Sequence, residues 1–242
     1  MHFPHFFLLL QYFFLNIRLK DIKLYHSKTE TERFFTMKTL VFQGDSITDC
    51  KRTVIDDGNS LGLGYPNYIG AQLMGDQPEK GWNIINRGIS GNRIVDLYAR
   101  WKRDTLNFKP DILSILIGVN DTWHECNQNG VEVPRYDKFY RMLLDWTIQV
   151  LPEIKIILME PFVLPFGAVE DSWLPEMDAR REVVRKIAEE YNTVFVPLQQ
   201  AFNDALKRAP QEYWLYDGVH PTPAGHRLIQ KAWLDAAADL VK

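Results

Sequence analysis

The chain has 242 residues, of which 46% are hydrophobic and 24% charged, and its net charge is −3. That is the make-up of a soluble globular protein long enough for one α/β domain with a sizeable core. With no basic stripe and no acidic tail, the charge pattern argues against a nucleic-acid partner and against a solvating segment. The two cysteines, Cys50 and Cys126, have neither metal-ligand spacing nor the density of a secreted disulfide scaffold, and are read as reduced thiols.

Residues 1–36 do not read like the rest. The apolar run Phe6-Phe7-Leu8-Leu9-Leu10 through Phe13-Phe14-Leu15 is short for a bilayer span, has no Lys or Arg before it, and is followed by no small-residue cleavage site. The segment is therefore expected to be a dispensable extension, with a weak membrane anchor or export signal as the alternative. One domain is expected over 37–242, in the cytoplasm and without stable membrane association.

From Met37 onward, short apolar runs alternate with helical periodicity, the mark of a parallel sheet covered by helices. The first strand is expected over Thr39–Gln43, and Gly44-Asp45-Ser46-Ile47 follows it directly. A helix over Tyr65–Met74 leads to a second strand, Trp82–Asn86, and then to the glycine turn Gly88-Ile89-Ser90-Gly91. A helix over Ile94–Leu106 precedes the strand Ile112–Ile117, which runs into Gly118-Val119-Asn120-Asp121. Next come a helix over Tyr136–Val150, a strand over Lys155–Met159, a helix over Pro175–Tyr191 and a strand over Val194–Pro197. The last motif, Asp217-Gly218-Val219-His220, stands before a terminal helix over Pro223–Leu240, with Thr222 as its expected cap. Five strands in this alternation predict a three-layer α/β/α, flavodoxin-like parallel sheet, whose sites gather at the carboxyl ends of the strands. Between the fourth strand and its helix, Pro161-Phe162-Val163-Leu164-Pro165-Phe166-Gly167 is read either as the wall of a substrate pocket or as packing beneath a helix.

The motifs form a chemical set. A serine hydroxyl needs a base to take its proton, and a tight turn after a strand exposes Ser46 to one; alone, such a serine is more often a helix N-cap. Asp217, three residues before His220, can hold the near nitrogen of that imidazole and leave the far one for Ser46. A tetrahedral intermediate needs donors aimed at its oxyanion. The backbone amides of Ser46 and Gly91 and the side-chain amide of Asn120 are the candidates.

In this order the four blocks resemble those of the SGNH hydrolases, also called GDSL esterases and lipases, whose Ser, Gly, Asn and His fall on Ser46, Gly91, Asn120 and His220, with the Asp on Asp217. The likeness runs from Met37 to the end of the chain, and Ile47 stands where the family name carries Leu. It implies a five-stranded α/β/α fold and hydrolysis of acyl esters through an acyl-enzyme, without metal or organic cofactor. The segments Asn86–Asn92 and Ile117–Trp123 resemble the branch that includes bacterial carbohydrate acetylesterases more than long-chain lipases. The expected partner is accordingly a small-molecule or oligosaccharide ester. Trp123, Trp214 and Arg87 are the candidate substrate contacts, the two tryptophans as aromatic faces for a sugar ring or else as core packing.

Competing readings are weaker. Ser90 begins a nucleophile-elbow pattern, but Asn92 stands where its second glycine belongs. His124-Glu125 lacks the second histidine of a zinc-protease helix, His220 and His226 beside Asp217 only imitate a metal cluster, and Gly62-Leu63-Gly64 does not complete a dinucleotide loop. Arg93 and Arg100 are expected on one solvated helix face. Lysophospholipids or thioesters are the alternative substrates. A glycan-binding module without turnover and a flavin-binding protein are the rivals from other classes, the latter opposed by Asp45 and Asp49 where a phosphate would sit.

Overall fold

The computed structural model describes residues 37–52 and 60–242, so the expectations for residues 1–36 lie outside the described residues. Five strands, β1 (Thr39–Gly44), β2 (Asn83–Asn86), β3 (Ile112–Leu116), β4 (Lys155–Met159) and β5 (Val194–Val196), form one sheet in the order β2-β1-β3-β4-β5. Every pairing is parallel, with Val41 opposite both Ile85 and Leu113, Leu113 opposite Ile156 and Leu158 opposite Phe195. Helices lie on both faces, so the central strands are apolar on both sides and read as continuous runs rather than alternating ones. Successive residues still point to opposite layers. Leu40, Phe42 and Ile112 enter one core with Tyr65, Ile69, Phe202, Ile229 and Trp233, while Val41, Leu113 and Ile115 enter the other with Trp101, Tyr140, Leu143 and Ile187.

The ten described α-helices are α1 (Ser46–Asp49), α2 (Tyr65–Asp76), α3 (Ile94–Asp104), α4 (Val119–Trp123), α5 (Val133–Val150), α6 (Trp173–Glu190), α7 (Leu198–Ala205), α8 (Gln211–Trp214), α9 (Pro223–Ala236) and α10 (Ala238–Val241). One layer packs α9 on α2 and α7, and the other packs α5 between α3 and α6. Among the described residues no helix is long and apolar enough to cross a membrane.

The expected strands and long helices are present with shifted ends. Helix α5 begins earlier than Tyr136 because Pro134 fits the first helical turn, where its missing N–H costs nothing. The terminal helix breaks at Ala237 into α9 and α10. Helix α7 was not expected from the sequence; it is eight residues long and buries only Leu198, Phe202 and Ala205. The segment 161–167 serves packing: Phe162, Val163 and Leu164 are buried, and the Phe162 ring stacks on Phe202 with centroids 4.3 Å apart.

Strand β1 lies between β2 and β3, so chain order reverses at the β1/β3 boundary and leaves a crevice at the carboxyl ends. Buried polar groups brace this end. Gln43 Nε2 donates to the Asp104 carbonyl (2.7 Å) and to Thr105 Oγ1 (2.8 Å), tying β1 to the end of α3. The Asp104 carboxylate, fully buried, meets the guanidinium groups of Arg87 (2.7 Å), Arg103 (2.9 Å) and Arg100 (3.2 Å). Burial opposes its charge, yet the hydrogen bonds from Arg103 and Arg87 prevail and hold the carboxyl down at about 2. Removing one side of a buried ion pair costs about 3–5 kcal/mol. Asp104→Asn is therefore expected to lower stability by about that amount in urea denaturation; a loss under about 1 kcal/mol, as at an exposed pair, would show that the arginines do not depend on it.

Candidate active site

Ser46 is placed by the turn that ends β1. Asp45 caps the next helix, its Oδ1 accepting the Ile47 N–H at 3.0 Å, and Ser46 is the first residue of α1. The cap is thus Asp45, so the plain reading of Ser46 as an N-cap does not hold. Released from capping, Ser46 Oγ stands 2.9 Å from Nε2 of His220.

His220 is held from the other side. Its Nδ1 lies 2.7 Å from Asp217 Oδ2, while Asp217 Oδ1 accepts the backbone N–H groups of His220 (2.8 Å) and Val219 (3.0 Å). The packed 161–169 segment supports this loop: the Leu164 N–H donates to the Gly218 carbonyl and the Ala168 N–H to the Asp217 carbonyl, each at 2.9 Å. Gly218 has φ +88°, and a Cβ there would stand 2.3 Å from the Phe166 carbonyl oxygen, so glycine alone fits. Thr222 Oγ1 accepts the Gly225 N–H and caps α9, as expected. Because carboxylate Oδ2 is an acceptor, Nδ1 carries the ring proton in the neutral imidazole and Nε2 offers its lone pair to Ser46.

The third group surrounds the turn after β2. Gly91 has φ +80° with open space where a side chain would be, and the N–H groups of Ser46 and Gly91 have no partner among the described residues. Asn120, on α4 just after β3, donates one Nδ2 hydrogen to the Asn92 carbonyl (3.1 Å) and keeps a second. The turn itself is tightly tied. The Ile89 N–H donates to the Gly44 carbonyl (3.0 Å), Arg100 Nε to Asn92 Oδ1 (2.7 Å), and Arg52, buried, to the carbonyls of Asn86 and Gly88. Serine, histidine, aspartate, asparagine and glycine thus come together at one crevice from four separate stretches of chain.

Trp123 joins them, its ring 5.7 Å from that of His220 and 5.3 Å from Trp173, and it is half-buried. The other candidate substrate contacts do not. Arg87 is 4% exposed, bound to Asp104 and lying over the Phe108 ring. Trp214 is 5% exposed, with its indole N–H on the Ala209 carbonyl and Arg208 over its face. Arg100 does not lie on a solvated face; it braces the glycine turn, and burial lowers it to about 10. Ser90 donates to Asp49 Oδ2 (2.7 Å), and among the described residues no histidine bonds to it. His226 accepts the Tyr65 N–H on Nδ1, lies against Cys50 through Nε2, and is lowered by burial to about 4. Both cysteines are free thiols. Among the described residues no three His, Cys, Asp or Glu side chains gather as a metal site.

Two acids beside the site have surroundings that the sequence does not show. Asp45 is fully buried, its Oδ2 has no partner among the described residues, and burial pushes it up to about 7 against the opposing Ile47 N–H bond and His220. Asp121, next to Asn120, is likewise buried and raised to about 7. An acid in a motif reads by default as exposed, and only the tertiary packing reverses that.

Residues 42–228 match the GDSL-like lipase/acylhydrolase family model. The chain belongs to that family. It is 40% identical over 204 residues to an acetylxylan esterase of Geobacillus stearothermophilus, covering 81% of this chain and 91% of that protein. The crystal structure of that esterase superposes with a TM-score of 0.75 at 39% identity, over 82% of this chain and 93% of the other. A GDSL-like lipase structure from Parabacteroides merdae superposes with a TM-score of 0.79 at 43% identity, over 86% and 99%. Catalytic mutants of the Geobacillus enzyme carry alanine in place of a serine, an aspartate and a histidine, the last two standing three positions apart. By family this chain is a serine esterase.

The charge of Asp217 is measurable. Partial burial pushes its carboxyl up, but the bonds from the His220 amide and ring and the Val219 amide outweigh it, and the carboxyl lies below the ordinary 3.8. A group lowered on folding stabilises the folded state above its unfolded pKa and stops doing so as the pH falls through the folded value. The gap in melting temperature between wild type and Asp217→Asn should therefore hold steady at neutral pH and close below about pH 4. A gap that widens on acidification would contradict this assignment.

Proposed function

We propose that the protein hydrolyses short acyl esters, acetyl above all, carried on a carbohydrate, through a Ser46–His220–Asp217 triad and an acyl-enzyme. The observation that carries this reading is the continuous chain of contacts from Ser46 Oγ through both nitrogens of His220 to Asp217 Oδ2, at 2.9 and 2.7 Å. His220 Nε2 takes the Ser46 proton as Oγ attacks the ester carbonyl carbon. Asp217 holds the proton-bearing Nδ1 and stabilises the imidazolium that forms.

Negative charge then develops on the carbonyl oxygen. The N–H groups of Ser46 and Gly91 and the second Nδ2 hydrogen of Asn120 receive it, fixed in place before the substrate arrives. Collapse of this intermediate breaks the bond to the alcohol, which leaves with the proton from His220. A water molecule, deprotonated by the same Nε2, attacks the acyl carbon; the acyl–Oγ bond then breaks, Oγ takes the proton back from His220, and acetate and free Ser46 are released.

The carbohydrate preference is supported by the relative at 40% identity, which is an acetylxylan esterase, and by Trp123 beside His220. A half-buried indole next to the base offers a sugar ring an apolar face while its ester reaches Ser46. An acetylated xylo-oligosaccharide is the substrate we favour.

The test is hydrolysis of p-nitrophenyl esters from acetate to decanoate, and of acetylated xylo-oligosaccharides, by wild type and Ser46→Ala. We expect acetate to be cleaved fastest and Ser46→Ala to lose about 10³-fold or more in kcat. A steep preference for long chains would move the substrate to a lysophospholipid or other lipid ester. Undiminished activity in Ser46→Ala would overturn the nucleophile.

A further inference from the structure

Asp121 has no part in the steps above, yet it is among the most deeply placed polar residues near them, with 0% exposure. Its carboxylate accepts the backbone N–H of Ile94, at 3.1 Å to Oδ1 and 3.3 Å to Oδ2. Ile94 opens α3, three residues after Gly91. One position earlier, Asn120 Nδ2 holds the Asn92 carbonyl at 3.1 Å. Two adjacent residues of α4 therefore grip the chain just beyond Gly91 at two points, one through a carbonyl and one through an amide. The grip joins the segment after β3 to the segment after β2, and each segment supplies a donor to the oxyanion.

A carboxylate in such a place needs a cation near it. Arg180 of α6, also 0% exposed, provides one. It donates from Nε to Thr122 Oγ1 (2.9 Å) and from Nη2 to the Val131 carbonyl (2.6 Å), while the Val131 N–H donates to the Asp121 carbonyl (2.9 Å). Its guanidinium lies over the Tyr136 ring at 5.2 Å, and the Tyr136 hydroxyl donates to the Ile117 carbonyl at the end of β3. Burial is the largest influence on the Asp121 carboxyl and Arg180 the largest opposing one. The clamp on Ile94 is thus seated on a buried scaffold that also fixes the start of α4.

We propose that Asp121 is a positioning residue of the oxyanion site, its carboxylate fixing the Ile94 amide so that the Gly91 N–H and Asn120 Nδ2 converge on one point. The inference rests on the esterase reading above. The convergence of two donors matters where charge has developed and little in the ground state, so the effect belongs to kcat rather than to KM. Its size should fall below the about 10²- to 10³-fold that follows when an oxyanion donor is lost outright.

The test uses Asp121→Ala, Asp121→Asn and, as a control for general destabilisation, Thr147→Ala, which removes the buried partner of the Trp101 indole N–H far from the site. With p-nitrophenyl acetate, Asp121→Ala should lose tenfold or more in kcat with KM within twofold. Asp121→Asn keeps an acceptor oxygen for the Ile94 N–H and should recover kcat to within about threefold of wild type, while Thr147→Ala keeps it. Asp121→Ala with unchanged kcat would overturn the proposal. So would a tenfold loss in Asp121→Asn, which is decisive even where the alanine variant does not fold. An inactive wild type, or an active Ser46→Ala, would instead remove the esterase reading beneath it.

Discussion

Both oxygens of Asp217 are committed, and the rest of the site depends on how. Oδ2 takes the imidazole Nδ1, and Oδ1 takes the amides of Val219 and His220, so one carboxylate fixes the ring and the backbone that carries it. A carboxylate with a single partner would leave the loop free to rotate and carry Nε2 away from Ser46. With three, the direction of that lone pair is set before any substrate binds, and preorganisation of this kind is what keeps a proton transfer from paying for reorientation. The close approach of Gly218 to the 161–169 segment then fixes the loop against the core.

The opposite wall is built from buried charge. Arg52, Arg87, Arg100 and Arg180 are all wholly or largely withdrawn from water; Arg52, Arg100 and Arg180 lie between backbone carbonyls and carboxylates, and Arg87 between the Asp104 carboxylate and the Phe108 ring. Planar guanidinium groups with several donors suit this work, because one side chain can tie three segments in a fixed geometry. Arg52 and Arg100 brace the glycine turn after β2, and Arg180 braces the helix after β3. The network is costly to desolvate, and its return is rigidity in the two loops that carry Gly91 and Asn120.

The sheet and the residues that meet as Ser46, His220 and Asp217 were legible in the sequence, for a physical reason. Parallel strands covered on both faces must be apolar runs, and sites gather at their carboxyl ends, so Ser46 and Asn120 stood out by position, while Asp217 and His220, well beyond β5 in the chain, stood out by their spacing. The supporting residues were hidden because their roles depend on burial. Arg87 is a candidate substrate contact by sequence, and its burial is hidden there because its partner Asp104 is 17 positions away in the chain. Trp214 was ambiguous between pocket and core, and only packing against Arg208 and Ala209 decides it. Asp45 was read only as a charge that would repel a phosphate and Asp121 was given no role, although each adjoins a recognised residue. Helix α7 was missed because eight residues carry too few turns for periodicity to stand out.

The central claim is that Ser46 is activated by His220 and by no other group. The most direct measurement is the intact mass of the protein after treatment with a serine-directed fluorophosphonate, followed by peptide mapping, for wild type and His220→Ala. A single adduct on Ser46 that forms readily in the wild type and falls away in His220→Ala is the expected result. Labelling of another serine, or labelling of Ser46 at an equal rate without His220, would contradict it.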